Sequence, residues 1–107
     1  MNDSDEMNNL VTEIINTLKT IYDPEIPVNI FDLGLIYDID IKEDKSLQIR
    51  MTMTSPNCPV APQIIREVID KLEKTEEFKF VDVKLVWDPP WDRDRMTEEA
   101  KLELGFL

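Results

Sequence analysis

Histidine is absent from this 107-residue chain, cysteine occurs once, at position 58, and glycine only twice. Without histidine there is no Ser-His-Asp triad, no Cys-His pair and no histidine-ligated metal. One thiol cannot form a four-cysteine zinc or iron-sulfur site within a single subunit. Any soft-metal chemistry must therefore take ligands from a second subunit, a small thiol or a partner protein. Nor can one cysteine form an internal disulfide, which agrees with a reducing compartment. Basic residues are scarce as well, 12 against 23 acidic ones, for a formal net charge of −11. Such a field repels phosphate backbones, so nucleic acid is not an expected partner. No apolar run reaches the length of a membrane span, and the opening MNDSDEM lacks the basic start and apolar stretch of a secretory signal. The expectation is a cytoplasmic protein with no membrane association.

What is present suffices for one compact domain with one core. Residues 1–7 are read as a flexible acidic terminus and 8–107 as the domain. Leu10, Ile14, Ile15, Leu18, Ile21 and Tyr22 return to one helical face, predicting a helix over 8–22 that stops before Pro24. An irregular stretch, DPEIPVNIFDLG, follows. From Leu35 the period falls to two, with Leu35, Tyr37, Ile39 and Ile41 on one face. After KEDKS, Leu47, Ile49, Met51 and Met53 alternate with polar residues, predicting an antiparallel hairpin. Val60, Ile64, Ile65, Val68, Ile69 and Leu72 predict a second helix from Pro59 or Val60 to Lys74. Val81, Val83, Leu85 and Trp87 mark a third strand that ends at DPPW. Thr97 is a candidate cap for a last helix ending near Gly105. The fold class is α+β, a two-layer sandwich in the order α-β-β-α-β-α, with a three-stranded sheet covered by helices on one face.

The chemistry centres on SPNCPVAP, residues 55–62. Pro59 and Pro62 are both compatible with the front of a helix, whose earliest N–H groups lack internal partners. Cys58 then lies at or just before a helix N-terminus, where free amides and the dipole favour a thiolate. Asn57 tolerates positive φ and fits a sharp turn. Two readings stand side by side: a reactive, exposed thiolate, which the placement favours, and a small buried hydrophobe, the commonest role of a free cysteine. Asp23, Glu25 and Asp32 form a candidate acidic site for a hard metal or a proton relay, against the simpler reading of turn-capping acids. Trp87 continues the apolar face of its strand and is expected in the core, whereas Trp91 is the candidate for an exposed partner contact.

YDPEIPVNIFDLGLIYDIDI, MTMTSPNCPVAPQI, and VKLVWDPPW followed by MTEEAKLELG occur in that order from about Ile21 to Gly105. Together they resemble the SufT and PaaD type of iron-sulfur cluster assembly protein, related to the cytosolic MMS-interacting maturation factors of eukaryotes. Relatives often carry glycine where this chain has Asn57, and the C-terminal four-cysteine site of PaaD-type members is absent, so the SufT type is the nearer match. The resemblance implies a cluster-assembly-like α+β domain that is not an enzyme. It also implies an accessory role in maturing clusters or delivering them to clients, with the family's reactive cysteine at Cys58 as a transient ligand for iron or a cluster. The partners implied are assembly scaffolds or client proteins. A homodimer would contribute a second Cys58. The alternative is an adaptor of the assembly machinery in which Cys58 is structural.

Overall fold

The structure is a computed structural model that describes residues 3–24, 26–55 and 59–106. Its elements run α1 (Asp3–Leu18), β1 (Ile36–Ile41), β2 (Ser46–Met51), α2 (Ala61–Lys74), β3 (Phe80–Leu85), a 3-10 turn (Arg93–Arg95) and α3 (Glu98–Glu103). The expected α+β class and element order are both present. The sheet order is β1-β2-β3, with β1 antiparallel and β3 parallel to β2. Parallel strands need a crossover connection, and α2 supplies it. Helix α2 packs on β3 and α1 packs on α2.

The helices differ from their predicted bounds at the ends. Helix α1 starts at Asp3 instead of near residue 8, so most of the segment expected to be flexible is helical. It stops at Leu18, four residues early, because Thr20 and Ile21 N–H donate to Thr17 and Leu18 carbonyls in tightened three-residue bonds. The Thr20 hydroxyl donates to the Thr17 carbonyl as well. Ile21 is still buried beyond the helix, but Tyr22 is exposed. In α2 the buried positions are Ala61, Ile64, Val68 and Leu72, one stripe facing the sheet.

The hairpin closes over residues 42–45, with Lys45 in the left-handed region at φ 68°. Lys42 N–H donates to the Ser46 carbonyl and Lys45 N–H to the Lys42 carbonyl. Both the hydroxyl and the backbone N–H of Ser46 engage the Asp44 carboxyl and hold it below the usual carboxylate range. The pairing of β1 with β2 contains one irregularity: Ile36 faces Met51 and Asp38 faces Arg50, leaving Tyr37 as an extra residue. The bulge corrects the expected alternation. Directly opposed residues share a face, so Ile36, Ile39 and Ile41 join Met51, Ile49 and Leu47 toward the core. Tyr37 instead donates from its hydroxyl to the Pro89 carbonyl, across a cis Asp88–Pro89 bond, and lies under the Arg95 guanidinium.

The C-terminal segment closes the domain against residues 29–35. Asn29 caps a short helical turn: its Oδ1 accepts from Asp32 N–H, and its Nδ2 donates to the Asp32 carboxylate. Thr97 N–H donates to the Asp32 carbonyl, and Met96 and Ala100 enter the core. Gly34, at φ +80°, lies where a Cβ would stand 2.2 Å from the Arg95 carbonyl oxygen. Gly105 has a similar φ of +83° but faces open space. The pair separates steric contact from backbone strain. Gly34→Ala should cost at least about 2 kcal/mol more than Gly105→Ala, since only it meets main chain on both counts. Urea unfolding of the two variants measures the difference; equal losses would show that the Gly34–Arg95 approach is not rigid.

Candidate functional site at the junction of β2 and α2

Strand β2 ends at Met51, and its continuation stays inside: Thr52 and Met53 are both about 1% exposed. Thr52 N–H donates to the Leu35 carbonyl. Its hydroxyl is buried with no hydrogen-bond partner among the described residues, an arrangement that costs more than a surface hydroxyl would. Ser55 is exposed, as is Pro59 on the far side of the junction. Asn57 and Cys58 lie outside the described residues.

Helix α2 begins in an unusual way. Its N-cap is Val60, which makes no side-chain cap hydrogen bond, and the first turn contains no acidic residue. Valine ranks among the poorest N-cap residues, and substitution of a good cap by an apolar one typically costs about 1 kcal/mol. Pro62 occupies an early helical position, as the sequence suggested, and Pro59 belongs to the turn before the helix. The chain thus leaves the positive end of the α2 dipole without an acceptor from its own first turn. Basic residues near the other end, Lys71 and Lys74, complement the dipole in the ordinary way.

Two of the three candidate acids, Asp23 and Asp32, are among the described residues. Asp23 is only 4% exposed, and its carbonyl accepts from Ile26 N–H, closing a turn with Pro24 in its second position. The Asp32 carboxylate accepts from Asn29 Nδ2. Glu25 lies outside the described residues. Among the described residues no group of three or more His, Cys, Asp or Glu side chains could hold a metal ion.

The exposures expected of the two tryptophans are reversed. Trp87 is 42% exposed, because β3 ends at Leu85 and the alternation that predicted its burial ends with the strand. Trp91 is half-buried against the core, and its Nε1 donates to the Leu33 carbonyl at 2.7 Å. A DPP stretch gives no sequence signal for which flanking indole turns inward; the partner carbonyl is 58 residues away. The sequence also gave no sign of a shallow cavity of about 400 Å³ lined by Gly34, Ile36, Tyr37, Arg50, Pro89 and Arg95. The bulge at Tyr37 and the folding back of Pro89 create it.

A three-stranded mixed sheet and a crossover helix between its parallel strands define a small α+β domain. The family model described as "Iron-sulfur cluster assembly protein" matches residues 12–85, and the chain belongs to that family. It is 51% identical over 105 residues to an "Fe-S protein maturation auxiliary factor" of Porphyromonas gingivalis, covering 94% of this chain and all of that one. It is 39% identical over 85 residues to the "Fe-S protein maturation auxiliary factor SufT" of Staphylococcus aureus, covering 79% and 97%. Its fold is similar to a crystal structure of a domain of unknown function from Bacillus anthracis, with TM-score 0.86 and 38% identity over 94% of this chain and 95% of that one. A conserved hypothetical protein of Thermotoga maritima is also similar, with TM-score 0.74 and 37% identity over 86% and 90%.

The indole bond gives a test of the corrected assignment. Trp91→Phe keeps an aromatic ring but leaves the Leu33 carbonyl without its donor, and should cost about 1–3 kcal/mol. Trp87→Ala should stay within about 1 kcal/mol of wild type, since it removes a largely exposed side chain. Thermal or urea unfolding checks both; a larger loss from Trp87→Ala would reverse the assignment.

Proposed function

We propose that this protein is a non-enzymatic accessory factor in iron-sulfur cluster maturation, and that Cys58 is its reactive group, ligating iron or a cluster transiently as cargo in transit. Family membership and the maturation-factor names of its relatives support the general role. The observation that carries the cysteine's part is the start of α2: a helix with valine at its cap and no acid in its first turn, just after the only thiol in the chain. Sequences that depart from good local design often do so at functional sites. A thiolate near that end would be favoured by the amide donors and the dipole of a helix whose first turn carries no acid.

One thiolate is a weak cage for a cluster, so bound cargo should exchange readily with an acceptor that offers more ligands. The 23 acidic residues would disfavour acidic surfaces and favour basic patches on scaffolds or clients. The exposed ring of Trp87 favours a second reading, an adaptor that docks assembly proteins while Cys58 serves only the turn.

Anaerobic reconstitution with ferrous iron and sulfide separates the two. Wild type should bind iron and sulfide, show thiolate-to-iron absorption and pass the cluster to an acceptor apoprotein. Cys58→Ser should lose most of the bound iron and of the transfer while unfolding like wild type. Equal iron in both proteins would eliminate the ligand role; retained partner binding in Cys58→Ser would then leave the adaptor.

A further inference from the structure

We infer that the free edge of β3 is a self-complementary surface, on which a second copy of this chain adds its own β3 antiparallel across a two-fold axis. This does not rest on any role for Cys58. Among the described residues, strand β3 has β2 on one side and no strand on the other. Its regular register from Phe80 to Leu85 contains no bulge. The other edge strand, β1, is defended by the Tyr37 bulge and two outward aspartates, Asp38 and Asp40. At β3, Val83 and Leu85 are only partly covered on the core side, and Phe80 is 61% exposed.

The backbone phase and the charges choose one register. Val86 N–H donates to the Met51 carbonyl, so Val86 faces β2. By alternation Lys84 and Asp82 also direct their backbone groups to β2, whereas Val81, Val83 and Leu85 direct theirs to the open edge. Antiparallel partners must share that phase, which excludes every register that sets an outward residue against an inward one. Of the central registers in phase, one sets Asp82 against Asp82 and another Lys84 against Lys84, both repulsive. The remaining one centres on Val83 opposite itself. It pairs Asp82 with Lys84 twice, Val81 with Leu85 twice, and Phe80 with Val86 twice. In an isologous interface each contact occurs as a symmetric pair, so this edge is complementary to itself in charge and in backbone hydrogen bonding. The Val83–Val83 and Val81–Leu85 pairs extend the core face across the axis, and the charged pairs lie on the outer face with the Phe80–Val86 pairs.

Charge reversal tests the register. Sedimentation equilibrium from micromolar to millimolar protein should show a monomer–dimer equilibrium for wild type. Asp82→Lys and Lys84→Asp should each weaken it at least about tenfold, because each sets like charges across the axis twice. The double variant D82K/K84D should recover the dimer, and an equimolar mixture of the two single variants should form a heterodimer. Circular dichroism of each variant verifies that the fold is kept. A wild type that stays monomeric throughout, or a dimer indifferent to all three changes, overturns the proposal.

Discussion

The parallel pairing of β2 with β3 is the constraint on which the rest of the architecture depends. Two antiparallel strands could have been joined by a tight turn, but a parallel pair obliges the chain to travel back along the sheet before it can pair again. Helix α2 makes that return, and its Ala61–Leu72 stripe becomes the cover of the sheet's apolar face. The same constraint fixes where α2 must start: beyond the carboxyl end of β2, after the buried Thr52 and Met53. The core thus ends at Met53 on the strand side and resumes at Ala61 on the helix side, and Cys58 falls between these positions in the sequence.

A second set of contacts closes the other side of the molecule. The Asn29–Asp32 turn, the Trp91 indole on the Leu33 carbonyl, the Thr97 N–H on the Asp32 carbonyl and the Gly34–Arg95 approach fasten the C-terminal segment to residues 29–35. Leu35 in turn receives the N–H of Thr52, so the closure reaches the strand that leads into the candidate site. Asp32, read in the sequence as one member of a candidate acidic site, is part of this fastening.

Much of the architecture is written in short-range pattern. The periods of 3.6 and 2, the KEDKS turn and the Thr97 cap locate the helices, the hairpin and the last turn, and Thr97 Oγ1 does accept from Ala100 N–H. What was not legible depends on long-range geometry. The bulge at Tyr37 is decided by pairing with β2, and the burial of Trp91 by a carbonyl far away in sequence. The exposure of Trp87 follows from where β3 loses its partner. Helix ends also escaped, because tightened bonds at Thr20 and Ile21 end α1 before its apolar pattern does. At the site, the sequence predicted a helix start just after the lone thiol; that valine takes the N-cap position became clear only from the fold.

The central claim is that Cys58 is an activated thiolate at the start of α2. Its rate of alkylation by iodoacetamide in the native protein, followed from pH 5 to pH 10, tests this most directly, against the free-thiol value of roughly 8.5. The account predicts a titration midpoint clearly below that value. A midpoint at or above it, or a thiol that reacts only after unfolding, would contradict the account.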